Sequence, residues 1–206
     1  MTSTESKKVS LEQISSLREA TGAGILLCKE ALAATDGNQE EAIKYLRKKG
    51  LSLAEKKVGR NASEGVIEAY IHGKNLGILV ELNCETDFVA RRDDFKELAR
   101  NLAMQVAACP NVDYVSIDDI DEAIVQRETE IENNKPDLEG KPEEIKQNII
   151  TNRVKKTLGQ MCLLEQNYIK DSSMTVGELI KQNTAVIGEN IQFRRFVRFN
   201  LGETLN

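Results

Sequence analysis

Apolar residues recur at helical spacing through the first part of the chain. Leu11, Ile14 and Leu17 share one face behind a capping Ser10, and Thr21-Gly22-Ala23-Gly24 interrupts the pattern. A second helix is predicted from Ile25 to Ala34, ending before Asp36-Gly37. Asn38 opens a third, with Glu41 three residues on as a capping partner and Ile43 and Leu46 continuing the apolar face. Lys48-Lys49-Gly50 reads as its stop, and a further short turn is expected from Ala54 to Val58. Three helices in about 45 residues make a module that is marginal alone, so it is expected to bind a partner or lean on a neighbour.

Gly59-Arg60-Asn61-Ala62-Ser63 reads as a linker, after which the period changes to two. One strand is predicted from Gly65 to Ile71. A second carries Leu76, Ile78, Val80, Leu82 and Cys84 in alternation, and His72-Gly73-Lys74-Asn75 is the hairpin between them. A long helix follows from Phe95 to Ala108, with Asp94 and Glu97 as its expected capping box, a stripe of Phe95, Leu98, Leu102 and Val106, and Pro110 beyond its end. Residues 116–134 are expected to form an acidic, exposed helix with Ile120, Ile124 and Ile131 on its inner side. Pro142 then stands as the first residue of another helix through Ile145, Ile149, Val154 and Leu158, and the two make a helical hairpin. Met161 to Ile169 is predicted as a strand, Thr175 and Glu178 cap a helix running to Ile187, and a last strand spans Ile191 to Leu201. In that strand Ile191, Phe193, Val197 and Phe199 are expected to point one way, and Arg194 and Arg198 the other. Strands and helices are partly segregated, which favours an α+β fold with an antiparallel sheet over a doubly wound one. The expected division is a three-helix, ubiquitin-associated-like module at 1–58, and an α+β core at 59–206 with the helical hairpin at about 116–158.

Composition narrows the chemistry. The 206 residues are 40% hydrophobic and 30% charged, with no tryptophan, so the core is aliphatic. A net charge of -5 argues against a broad surface for a polyanion. No apolar run reaches the length of a membrane span, and Met1 to Lys8 contain no apolar segment of a secretory signal, so a cytosolic setting is expected. Cys28, Cys84, Cys109 and Cys162 form no paired motif, and there is one histidine, His72, in a predicted turn. A metal site is therefore disfavoured and the cysteines are expected to be buried thiols. There is no phosphate-binding glycine loop: Gly22-Ala23-Gly24 lacks the third glycine of the dinucleotide fingerprint. No catalytic constellation stands out, and neither enzyme activity nor a cofactor is expected.

Two segments carry more information. One is Leu17-Arg18-Glu19-Ala20-Thr21-Gly22-Ala23-Gly24, continuing to Cys28-Lys29-Glu30-Ala31-Leu32. The other is Glu81-Leu82-Asn83-Cys84-Glu85-Thr86-Asp87-Phe88-Val89-Ala90-Arg91. In the second, Phe88 lies between a core-facing strand and the next helix. Read from the residues alone it is either a hydrophobic staple packing back on that helix or an exposed aromatic anchor. Both segments, and the closing Ile191-x-x-Arg194-Arg195 strand, resemble the elongation factor Ts family of bacteria and organelles. The resemblance runs in the same order over nearly the whole chain, from about Ser10 to Glu203. Leu27 stands where that family often has a polar residue.

The resemblance implies a guanine-nucleotide exchange factor that binds elongation factor Tu. It implies that Thr86, Asp87, Phe88 and Val89 bind Tu, and that the Asp87-Phe88 pair enters its G domain near the magnesium, with Phe88 inserting between helices and Asp87 accepting hydrogen bonds. It also implies that Arg18, Ile25, Leu26 and Lys29 of the first module dock elsewhere on the same domain. One Thr-Asp-Phe-Val segment, where long members have two related halves, marks a short form. A short form is expected to dimerise and to make a two-plus-two complex with Tu, without contacting nucleic acid or membrane. Phe193, Phe196 and Phe199 either serve that symmetric contact or fill the monomer's own core. The rival readings are a helical protein-binding adaptor, a thiol enzyme using Cys84 or Cys28, and an RNA-binding protein of the translation apparatus.

Overall fold

The computed structural model describes residues 9–204; Met1 to Lys8, Leu205 and Asn206 lie outside them. Helices α1 (Leu11–Thr21), α2 (Ile25–Ala34) and α3 (Gln39–Glu55) form the first module. Ser10 and Gln13 make a reciprocal capping box on α1, and the Asn38 side chain accepts from the Glu41 amide at the start of α3. Ile14, Leu17, Cys28, Ala31, Leu32, Ala42 and Leu46 fill the space between the three helices.

Helix α3 does not stop at Gly50 as its Lys-Lys-Gly signal predicts; it continues to Glu55 and absorbs most of the short turn expected after it. Gly50 is buried, and a Cβ there would stand 3.5 Å from the Ala185 Cβ. There is room there for a methyl group and little more, so a small residue lets α3 pack closely on α8 (Val176–Ile187), and this glycine lies at a helix crossing and not at a helix end. Arg47 reaches Asp171 at 3.5 Å, and the Lys57 ammonium donates to the Gly188 carbonyl at 2.6 Å, adding polar ties across the same junction.

The core sheet has the order β1 (Glu64–His72), β2 (Leu76–Cys84), β5 (Gln192–Asn200), antiparallel throughout, which makes the fold α+β as expected. Helix α5 (Asp93–Ala108) lies across one face and buries Phe95, Leu98, Leu102 and Val106 against Ile78, Val80 and Leu82. The expected Asp94–Glu97 box is not formed. The helix begins one residue before Asp94, Arg92 takes the cap position, and Asp94 instead accepts from Arg92 and from the Phe95 amide. That pairing with Arg92 holds the Asp94 carboxyl below its usual range.

In β5 the expected facing pattern is broken by a bulge. Arg195 pairs with Glu81 while Phe193 pairs with the next residue, Leu82, leaving Arg194 as the extra residue. One extra residue reverses the faces of everything beyond it. Phe193, Phe196 and Arg198 therefore share the core side, and Arg198 donates to the carbonyls of Val106, Cys109 and Pro110 at the end of α5. Val197 and Phe199 turn outward, beside Leu79 and Gly77 of β2, with Ala69 and Ile71 of β1 next in the same rows. The result is an exposed apolar sheet face that includes Ile67, Ile71, Leu79, Val197 and Phe199.

The remaining segments are helical or irregular. Helix α6 (Glu122–Asn133) and helix α7 (Glu143–Gly159) pair as a hairpin around Ile120, Leu138, Ile150, Val154 and Leu158. Ile131 and Ile145, placed inward by spacing, are half exposed, and Pro142 is the residue before α7 and not its first. The run Met161 to Ile169 is mostly loop. It holds only β3 (Asn167–Tyr168), which pairs with β4 (Asp171–Thr175), and an isolated bridge between Cys162 and Tyr114. Buried Gln105 of α5 fixes the loop by donating to the Asn167 carbonyl and accepting from the Ile169 amide. A one-turn helix, α4 (Asp87–Ala90), bridges β2 and α5. Thr175 and Glu178 form the expected box on α8. No helix among the described residues is long and apolar enough to cross a membrane.

Two consequences are measurable. Gly50→Ala fits the α3–α8 crossing and removes a helix-interior glycine, so it is expected to leave stability unchanged or raise it by about 0.5–1 kcal/mol. Gly50→Leu overpacks the crossing and is expected to cost about 1–3 kcal/mol in urea unfolding. Equal effects of the two would contradict a close crossing. The cysteines give the second test. Cys28, Cys84 and Cys162 are buried, and burial, reinforced by the Glu189 carboxylate, pushes the Cys84 thiol up to about 11. At pH 8 its thiolate fraction is then about one in a thousand. Ellman's reagent is expected to leave Cys84 intact in the native protein and to react with all four cysteines in urea. Rapid native labelling of Cys84 would reopen the thiol-enzyme reading.

Candidate partner-binding site

The Thr86–Arg91 segment starts where β2 ends. Cys84 is the last inward residue of the strand, and its thiol donates to the Thr86 carbonyl at 3.2 Å. Thr86 is in extended conformation and caps α4, its hydroxyl oxygen accepting from the Val89 amide. Val89 and Ala90 turn down into the core beside Phe95 and Leu98. In a single turn with two adjacent residues buried, Phe88 is left on the opposite side, and it is 77% exposed. It does not pack back on α5, so the staple arrangement is absent. Asp87 forms an exposed ion pair with Arg91 at 2.7 Å, one turn on. The tip thus presents an aromatic ring beside a carboxylate whose present partner is on the surface and replaceable.

The other expected contact residues lie at the α1–α2 corner. Gly22 caps α1 with a left-handed backbone, φ 66°, and its amide donates to the Arg18 carbonyl at 2.8 Å. The Thr21 hydroxyl donates to the Leu17 carbonyl at 2.6 Å. This turn sends α2 off with Ile25 and Leu26 outside the module's core, 55% and 82% exposed. Arg18 and Lys29 are exposed as well. The bundle has a complete core without Ile25 and Leu26, which frees both for a surface role. The eight expected residues therefore form two groups: Thr86, Asp87, Phe88 and Val89 on the core's one-turn helix, and Arg18, Ile25, Leu26 and Lys29 on the first module. Val89 is buried and supports the tip from below.

Spacing did not reveal what holds the tip from its other side. The Glu189 carboxylate, in the loop between α8 and β5, accepts from the amides of Glu85 and Thr86 at 3.0 Å each and from the Thr86 hydroxyl at 2.6 Å. In return, the Glu85 carboxylate accepts from the Asn190 amide at 2.6 Å and lies 3.6 Å from the Arg60 guanidinium. The partners are about a hundred residues apart in sequence, and Gly188-Glu189-Asn190 reads locally as a plain connection after a capped helix. Among the described residues no cluster of His, Cys, Asp and Glu is suited to a metal ion.

Comparison with known proteins identifies the family. The family model described as Elongation factor TS matches residues 29–203. The chain is 55% identical over 197 residues to "Elongation factor Ts" of Rippkaea orientalis, covering 95% of this chain and 79% of that protein. It is 57% identical over 197 residues to the protein of the same name from Gloeothece citriformis, covering 95% and 69% of the two chains. It is 56% identical over 199 residues to "Elongation factor Ts, chloroplastic" of Guillardia theta, covering 96% and 91%. With the two motif segments, the exposed tip and matches of this extent, the chain belongs to the elongation factor Ts family, the nucleotide exchange factors of translation elongation.

Proposed function

We propose that the chain binds elongation factor Tu carrying GDP and speeds release of the nucleotide by disturbing the magnesium and phosphate site of the Tu G domain. The observation that carries this reading is the exposure of Phe88 on a turn whose neighbours Val89 and Ala90 are buried. A large aromatic ring held in water at a fixed place is costly for a monomer and is the kind of anchor that dominates interfaces. Inserted between helices of the G domain, Phe88 displaces groups that order the magnesium. Asp87 leaves Arg91 for donors on Tu. Weakening an ion that neutralises phosphate charge loosens the nucleotide. Arg18, Ile25, Leu26 and Lys29 supply a second contact that keeps the factor bound while the tip acts. No bond is made or broken in the nucleotide, and linkage requires GDP to weaken the factor's binding as much as the factor weakens GDP binding. The reaction sits where translation does, in a bacterial cytoplasm or an organelle's matrix or stroma, and neither nucleic acid nor membrane takes part.

The outward sheet face supports the companion proposal of a homodimer and a two-plus-two complex. Ile67, Ile71, Leu79, Val197 and Phe199 are contiguous across three strands. A second copy placed face to face would cover them as one sheet covers another in a sandwich.

In stopped-flow release of a fluorescent GDP from Tu, the wild type is expected to accelerate release and Phe88→Ala to lose about 30-fold or more of that acceleration, the size of an interface hot spot. Acceleration retained by the variant would remove Phe88 from the mechanism. No acceleration by the wild type would remove the exchange reading. In sedimentation equilibrium, the wild type is expected at twice the monomer mass, and Val197→Glu with Phe199→Glu at the monomer mass. A wild-type monomer at micromolar concentration would contradict the dimer.

A further inference from the structure

A single helical turn has too few internal hydrogen bonds to hold its own shape. Helix α4 has four residues, Asp87–Ala90, yet it carries the ring proposed to do the work. Val89 and Ala90 anchor it from below, which fixes its height but leaves its N-terminus free to swing. The Glu189 carboxylate supplies the missing restraint. Both of its oxygens are used: one takes the consecutive amides of Glu85 and Thr86, and the other takes the Thr86 hydroxyl. The same hydroxyl oxygen accepts from the Val89 amide, so Glu189 also orients the cap of α4. Hydrogen bonds to an ionised acceptor are the stronger kind. The loop that carries Glu189 is itself held. The Gly188 amide donates to the Thr184 carbonyl, the Asn190 amide donates to the Glu85 carboxylate, and the Asn190 side chain donates to the Arg60 carbonyl. Each loop therefore restrains the other's backbone through a carboxylate, and the restraint ends two residues before Phe88.

We propose that Glu189 is a positioning residue for nucleotide exchange, acting through Thr86 to set the orientation of Asp87 and Phe88 before Tu arrives. This rests on the reading of Phe88 as the exchange anchor. A preset tip spends no binding energy on ordering itself, and that energy remains for displacing the magnesium site. Glu189 touches neither Tu nor the nucleotide in this account. Its effect is therefore on the maximal rate of release more than on the concentration of factor needed to reach it, because the first module docks independently of α4.

The test is GDP release from Tu against concentration of factor for the wild type, Glu189→Ala, Glu189→Gln, Phe88→Ala and the double variant Glu189→Ala/Phe88→Ala. Thermal melting of each variant verifies that it is folded. Glu189→Ala is expected to lower the maximal rate about tenfold with the half-saturating concentration changed less than about threefold. Glu189→Gln keeps the shape and one acceptor oxygen, and it is expected to fall between the wild type and the alanine variant. The double variant is expected to be no slower than Phe88→Ala, because Glu189 acts through that ring. A wild-type maximal rate in Glu189→Ala beside a slow Phe88→Ala overturns the proposal and leaves the anchor reading standing. A double variant slower than Phe88→Ala by the full factor of Glu189→Ala also overturns it, since Glu189 would then act elsewhere. Fast release by Phe88→Ala overturns both readings.

Discussion

Strand β2 is the member on which the other parts converge. It pairs with β1 along one edge and β5 along the other, so its backbone groups are satisfied within the sheet. Its inner residues Ile78, Val80, Leu82 and Cys84 are the floor on which α5 lies. An interior strand held on both edges and one face is the least deformable backbone a three-stranded domain can offer. The proposed exchange tip begins two residues after this strand ends. A force transmitted to Phe88 from a docked partner is thus met by the whole sheet and not by a loop.

Much of this was legible in the sequence because it is local. Ser10, Asn38 three residues before Glu41, and Thr175 with Glu178 are local boundary signals, and in the structure Ser10, Asn38 and Thr175 cap their helices where they stand, although the Glu41 side chain does not complete a box with Asn38. Period-two alternation gave β1 and β2 within a residue or two. The differences share one cause, a partner distant in sequence. Gly50 looks like a helix stop until Ala185 is brought against it. The faces of β5 follow alternation until the bulge at Arg194 reverses them, which places Arg198 over the end of α5 and Phe199 in water. The apolar run through Leu163 resembles a strand, yet its backbone is tied to the 113–115 segment and to Gln105. Of the candidate site, the eight expected contact residues came from motif resemblance, and the exposure of five of them, Arg18, Ile25, Leu26, Lys29 and Phe88, depends on tertiary placement. Glu189 gave no local sign, since one carboxylate in a Gly-Glu-Asn connection is ordinary.

In the proposed function the two surfaces divide the labour of exchange. The α1–α2 corner offers aliphatic side chains flanked by Arg18 and Lys29, suited to holding on to a partner. The tip offers one ring and one carboxylate on a stiff base, suited to displacing something within it. Neither group requires the chain to react. Three of the four thiols are buried, Cys109 is half-buried against expectation, and the lone histidine, His72, sits in a hairpin beside Tyr70.

The central claim is that the tip couples factor binding to nucleotide binding. It is tested most directly by equilibrium titration of Tu with GDP in the presence and absence of saturating factor, using the wild type and Phe88→Ala. The account predicts that the wild type weakens GDP binding within the usual range of coupled sites, about 5–150-fold, and that GDP weakens factor binding by the same ratio. It predicts that Phe88→Ala still binds Tu through the first module while most of the coupling is gone. Undiminished coupling in Phe88→Ala would contradict the account.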